Sequence, residues 1–267
     1  MIAVAQQKDK QIFYSFWKKY FSFDDGGYTD YFFDAYYDSC CHYMLIDQEV
    51  ISIASVCFHE IVFDGKKEEM VMIFGVATKE EYRHKGHMDT LIRHIISQYK
   101  DKMIFLQAYH PEIYKHLGFE VVYHQKYYEL SPLPSSLVLE EKEGEPEVLC
   151  DIYRDYCASF DGFALRDVDD FKKLCAAARA MGGSFISFYE EERPVGYGEI
   201  YKNGDHIIIE ELCGDVFKII SYLRKHFSLT YTGPEVLNEQ YRSIDYNLIY
   251  HPKKRQTDKE LFFHEYI

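Results

Sequence analysis

The spacing of apolar side chains sets the first expectations. Over residues 9–20 they fall at Ile12, Phe13, Phe16, Trp17 and Tyr20, the interval of a helix with one buried face. Residues 29–38 read as a second short helix capped by Thr29. The period then drops to two. Residues 43–46, 50–63 and 70–78 read as strands of an antiparallel meander, turned by Asp47-Gln48 and Asp64-Gly65. From Arg83 the period returns to that of a helix, with Met88, Leu91, Ile92, Ile95 and Ile96 on one face as far as Tyr99. Residues 103–108 make a short apolar strand, Pro111 opens a brief helix through Leu117, Gly118 ends it, and 119–130 read as strands.

The second half repeats this plan with little residue identity. Helices are expected at 149–160 and 168–181, a stop at Gly182-Gly183, strands at 184–190, 194–201 and 206–212, a helix over 214–227, and strands at 229–232 and 245–250. That order predicts an α/β protein of two similar modules, each a mostly antiparallel mixed sheet flanked by helices. Residues 131–147, SPLPSSLVLEEKEGEPE, hold three of the seven prolines and a carboxylate-rich end, the composition of a linker. The expected domains are therefore 1–130 and 148–267, joined by 131–147.

Charge narrows the partners. With 44 Asp+Glu against 30 Lys+Arg the net charge is −14, which argues against a nucleic-acid surface and for cationic or neutral ligands. No run approaches the ~20 apolar residues of a membrane span, and MIAVAQQKDK is too poor in apolar residues for a signal peptide, so a soluble cytoplasmic protein with no membrane partner is expected. Cysteines stand at 40, 41, 57, 150, 157, 175 and 213 with no C-x-x-C and no zinc spacing, so buried thiols are expected and no metal. Tyrosine and phenylalanine number 25 and 20, which makes assembly into a homo-oligomer through exposed aromatics one alternative for the oligomeric state.

The segment FGVATKEEYRHKGHMDTLI, residues 74–92, carries the most chemistry. A strand ending in Val76-Ala77-Thr78 feeds a loop with Arg83, His84, Lys85 and Gly86 and then a helix, so unpaired N–H groups, a helix dipole and three cations converge. An anion site and a plain capped helix with a solvated basic turn are both open on these grounds. Gly86 would let backbone approach an anion closely.

The residues 83–88, RHKGHM, after V-A-T resemble the acyl-CoA pyrophosphate loop of GNAT N-acetyltransferases, R/Q-x-x-G-x-G/A, and YKHLGF at 114–119 resembles the family's later Y-x-x-x-G-F motif. Met88 stands where Gly or Ala is usual, a variant similar to the Eis-type branch, in which a degenerate GNAT-like domain follows the first. GFALRD at 162–167, PVGYGEIY at 194–201 and IIIEELCGD at 207–215 are similar to that second domain, and a third, sterol-carrier-like domain is not expected in this length.

The resemblance implies acetyl-CoA as cosubstrate and direct transfer to a primary amine within a ternary complex. The net charge of −14 and the acidic Asp24-Asp25 loop point to a cationic small molecule, such as a polyamine or aminoglycoside, as the acceptor. The resemblance also implies that Val76, Ala77 and Thr78 offer backbone groups to pantetheine and thioester, that 83–88, including His87, hold the pyrophosphate, and that Tyr114 protonates the departing thiolate. A phenol with its ordinary pKa of ~10 is protonated at neutral pH; a core aromatic is the alternative. The acceptor side is less defined. Asp24 and Asp25 lie where GNAT acceptors enter, or cap a helix; His110 lies near the expected sulfur position, or caps the helix at Pro111. Glu210 and Glu211 are candidates for a cleft wall, one at least being an ordinary surface carboxylate. In Eis-type enzymes a terminal carboxylate reaches the active site, but no role is assigned to Ile267. A non-catalytic acyl-CoA sensor or scaffold is the alternative function.

Overall fold

A computed structural model describes residues 1–21, 27–234, 237–250 and 261–262. These divide into two compact units, residues 1–123 with 245–250 and residues 124–244 with 261–262. Asp24, Asp25 and Ile267 lie outside the described residues.

The first unit begins with β1 (Ile2–Val4), α1 (Lys10–Tyr20) and α2 (Tyr28–Ala35) and continues into the meander β2 (Cys41–Asp47), β3 (Glu49–Phe63) and β4 (Lys66–Thr78). The β3–β4 hairpin closes on Asp64 and Gly65 at φ 48° and 71°, the mirror-image two-residue turn whose twist suits its strands. Helix α3 (His87–Gln98) crosses to β5 (Met103–Gln107), and α4 (Glu112–Lys115) leads to β6 (Glu120–Leu130). After β6 come β7 (Glu140–Glu143), α5 (Pro146–Cys157), β8 (Gly162–Ala164), α6 (Val168–Ala180), β9 (Ser184–Glu190), β10 (Arg193–Asn203), β11 (His206–Gly214), α7 (Val216–Leu223) and β12 (Ser228–Gly233). The last described strands are β13 (Arg242–Tyr250) and β14 (Leu261–Phe262), the latter parallel to β8.

Strand order is β1-β2-β3-β4-β5-β13 in the first unit and β7-β9-β10-β11-β12-β6 in the second. Each sheet is antiparallel except for one pair bridged by a helix, β4/β5 through α3 and β11/β12 through α7, because parallel neighbours need a long crossover. Each then gains an antiparallel strand from a distant stretch of chain: residues 247–250 of β13 pair with β5, and residues 126–130 of β6 pair with β12. Both units are mixed sheets flanked by helices.

Alternation along the strands separates two faces. Leu91, Ile92 and Ile95 of α3 pack on Val71, Ile73, Ile104 and Leu106, each such aliphatic chain contributing about 1.5–3 kcal/mol by leaving water. Phe74 points the other way and meets Trp17 of α1 and Phe32 of α2. In the second unit α5 and α6 bring Tyr153 and Phe171 to Tyr197 and Cys213 on one face, while Ile219, Ile220 and Leu223 of α7 cover Ile200, Ile207 and Ile209 on the other.

Several local expectations are corrected. Thr29 does not cap α2: left-handed Gly27 precedes the helix, and Thr29 is buried within it. The 119–130 segment is one strand rather than several, and residues 124–130 belong to the second unit through their pairing with β12. The 131–147 segment contains β7, four exposed charged residues whose backbone still pairs with β9, and the start of α5. A charged surface edge gave no apolar alternation to read.

Candidate functional site

The site is built around the end of β4. Between Ser55↔Phe74 and Ile53↔Ala77 the register advances two residues on β3 and three on β4, so Gly75-Val76 is a β-bulge. Gly75 sits at φ +57°, and a Cβ there would lie 2.9 Å from the Trp17 indole, so this position needs glycine both for its conformation and for space. Pairing between β4 and β5 ends at Ile73↔Leu106. Beyond that point the bulged segment of β4 and the end of β5 are not paired in the ladder.

Thr78 closes the strand with its hydroxyl 2.9 Å from Ser52 Oγ, which itself donates to the Ala77 carbonyl at 3.0 Å. Half-buried Val76 packs toward α3. The chain then makes a short turn, Glu80–Tyr82, and the exposed run Arg83, His84, Lys85, Gly86. Arg83 donates from Nε to the Thr78 carbonyl at 3.2 Å, with its guanidinium 5.3 Å from the Tyr20 ring centre. Lys85 Nζ donates to the Glu81 carbonyl at 2.8 Å. These contacts fold the cationic side chains back along the loop.

Gly86 is the residue before α3. It has φ +77°, no side chain caps the helix, and a Cβ at this position would meet nothing within 4 Å. The first N–H groups of α3, at His87, Met88 and Asp89, have no intrahelical acceptor by the geometry of any helix start. An open, positively polarised stretch of backbone results, with no side chain in the space a Cβ would occupy.

Tyr114 lies on α4 within the α3-side core, buried, its ring 6.0 Å from and edge-on to Phe119. Burial pushes its phenol up to about 12, so it holds its proton across the physiological range. Among the described residues none hydrogen-bonds its hydroxyl. His110 is exposed, with Nδ1 3.2 Å from Glu112 Oε1, and does not cap α4, whose first turn has no side-chain cap.

The second unit lacks an equivalent cradle. There β11 passes to α7 through Asp215 alone, whose carboxylate accepts from the Lys218 N–H at 3.0 Å and so supplies the anion itself. A Cβ on Gly214 would lie 2.4 Å from the Val195 carbonyl, leaving no opening. Glu211 is no surface carboxylate: it is 3% exposed, bound by Arg166 Nη1 at 2.9 and 2.8 Å and by the Tyr197 hydroxyl at 2.5 Å. Glu210 is the extra residue of a β11 bulge and half-buried. Glu199, directly opposite Glu211, is buried and accepts from Tyr201 at 2.7 Å; burial pushes its carboxyl up to about 7.

Sequence reasoning saw Trp17 only as part of the apolar face of α1, and passed over Gly75 and the residues Gln107 and Asn247, joined side chain to side chain at 3.1 Å across β5 and β13. An isolated glycine inside a strand pattern was the available signal for the bulge; nothing local announced the other two. Among the described residues no group of His, Cys, Asp and Glu comes together as a metal site, and no helix is long and apolar enough to cross a membrane.

Comparison with known proteins bears on this geometry. No curated protein matches the chain. The fold is similar to that of a probable N-acyltransferase from Enterococcus faecalis V583 (TM-score 0.77, 15% identity, 93% of this chain and 72% of that one). It is similar to Eis1 from Mycobacterium abscessus (0.59, 13%, 79% and 64%). It is also similar to the N-myristoyltransferase of Saccharomyces cerevisiae with bound myristoyl-CoA (0.56, 9%, 93% and 82%). Residues 2–122, the segment that contains the bulge, the 83–88 loop and Tyr114, match the acetyltransferase (GNAT) domain family.

Proposed function

We propose that the protein is an acetyl-CoA-dependent N-acetyltransferase acting on a primary amine of a cationic small molecule by direct transfer in a ternary complex. The observation that carries this reading is the contrast between the two strand-to-helix junctions. Gly86 is left-handed, open and flanked by cations, whereas Gly214 is packed shut and followed by a carboxylate. One cosubstrate binds, in the first unit. The N–H groups at the start of α3 with Arg83, His84, Lys85 and His87 hold pyrophosphate. Backbone groups of Val76, Ala77 and Thr78 hold pantetheine beyond the end of the β4/β5 ladder and polarise the thioester carbonyl.

The amine nitrogen forms the new C–N bond, the C–S bond breaks, and the Tyr114 hydroxyl gives its proton to the sulfur. The nitrogen, cationic in the tetrahedral adduct, loses a proton to solvent and the phenolate recovers one from solvent, leaving a neutral amide and free CoA thiol. With a pKa of about 12, Tyr114 is fully protonated at the start of each turnover, which suits an acid and not a base. The net charge of −14 supports a cationic acceptor, and seven free cysteines support a reducing, cytoplasmic setting.

Titration calorimetry with CoA, paired with thiol release from acetyl-CoA over a panel of amines, tests the proposal. One CoA per chain and amine-dependent thiol release are expected. Binding without release would make the protein an acyl-CoA sensor; absence of binding would end the reading.

A further inference from the structure

The loop that would take pyrophosphate lies at the start of α3, and α3 covers one face of the first unit's sheet. On the acyltransferase reading, a pantetheine arm that passes between β4 and β5 beyond Ile73 and Leu106, where their ladder ends, would carry its acyl group to the opposite face. There the backbone of Gly75 stands against the indole of Trp17, with no room for even a methyl group between them. The indole is held rigidly. It stacks on Phe32 at 4.7 Å with an interplanar angle of 1°, and meets Phe33 edge-on at 5.6 Å and Phe74 edge-on at 6.1 Å. Trp17 is 7% exposed, and its Nε1–H has no acceptor among the described residues although it lies at the same 2.9 Å from the Gly75 Cβ position.

We infer that Trp17, backed by Phe32 and Phe74, sets the length of acyl group that the enzyme transfers, closing the far side of the bulge so that a two-carbon acyl group fits and a longer chain collides with the indole plane. This rests on the acyltransferase reading above and adds to it a specificity-determining residue. A rigid aromatic wall discriminates by exclusion rather than by weaker attraction, since a close-packed cluster of four rings cannot give way to a methylene without losing its contacts.

The test is kcat/KM for acetyl-, butyryl- and hexanoyl-CoA with one amine, in the wild type, Trp17→Leu and Phe74→Leu, with CoA affinity and melting temperature measured on each. The wild type should prefer acetyl over hexanoyl by roughly 100-fold or more, each methylene in an apolar pocket being worth roughly 10- to 200-fold. Trp17→Leu should narrow that ratio at least tenfold by raising the rate with hexanoyl-CoA, leaving CoA affinity unchanged. If Trp17→Leu does not fold, Trp17→Phe, which keeps an aromatic of smaller area, should narrow the ratio in the same direction. Equal use of acetyl and hexanoyl groups by the wild type, or an unchanged ratio in the folded variants, overturns the inference while leaving the acyltransferase reading in place. A wild type that binds no CoA brings down both.

Discussion

Gly86 is where the cosubstrate assignment is most exposed to test. Gly86→Val places a β-branched residue at φ +77°, and backbone strain of this kind costs roughly 1–3 kcal/mol. The added Cβ meets no protein atom within 4 Å, so the folded structure takes on a side chain here at the cost of that strain. It does fill the space assigned to pyrophosphate. Losing one charge-assisted hydrogen bond from the backbone costs about 1.5–3 kcal/mol, which is roughly 10- to 150-fold in Kd.

A matched control exists in the other unit. Gly182, at the end of α6, has φ +82° and equally open surroundings. Gly182→Val should carry the same strain and lower the melting temperature by a similar amount, on the order of 5 °C. Calorimetry with CoA on both variants, alongside thermal melts, separates ligand exclusion from strain. Gly86→Val alone should weaken CoA. Equal CoA affinity in the two variants, both folded, would remove the 83–88 loop from the site.

Tyr114→Phe deletes only the hydroxyl and should lower kcat by roughly 10²- to 10⁴-fold with CoA affinity unchanged, whereas preserved turnover with a lowered melting point would make Tyr114 a core aromatic. Glu199 has a native pKa of about 7 against an unfolded value of 4.5. Its contribution to stability is thus whole below about pH 4.5 and is lost as pH rises through 7, a change of about 3 kcal/mol; denaturant melts from pH 5 to 8.5 should show this slope in the wild type and not in Glu199→Gln, and parallel slopes would refute it. Glu211→Gln breaks the buried ion pair with Arg166 and should cost about 3–5 kcal/mol, read as a large drop in melting temperature, while CoA still binds the residual folded protein with wild-type affinity.

How much of this was legible in the chain depends on whether the signal was local. Period and punctuation sufficed for α1, α3, the three-strand meander and the Asp64-Gly65 turn, because an amphipathic helix and a two-residue hairpin are specified within a dozen residues. The 83–88 loop was also visible, since a strand, a cationic run, a glycine and a helix start are contiguous. Tertiary structure decided what depends on partners far along the chain. Gly75 is a bulge because Trp17, 58 positions earlier, packs where its side chain would be. Glu211 is a core residue because Arg166, 45 positions away, neutralises it; read alone, a glutamate on a strand looks like surface. Strands β5 and β12 take their last neighbours from β13 and β6, a pairing set by which edges the folded sheets leave open rather than by any periodicity in those segments. Local sequence determines which backbone conformation a segment prefers, and packing across long separations determines which side chains lose water and which are left facing a substrate.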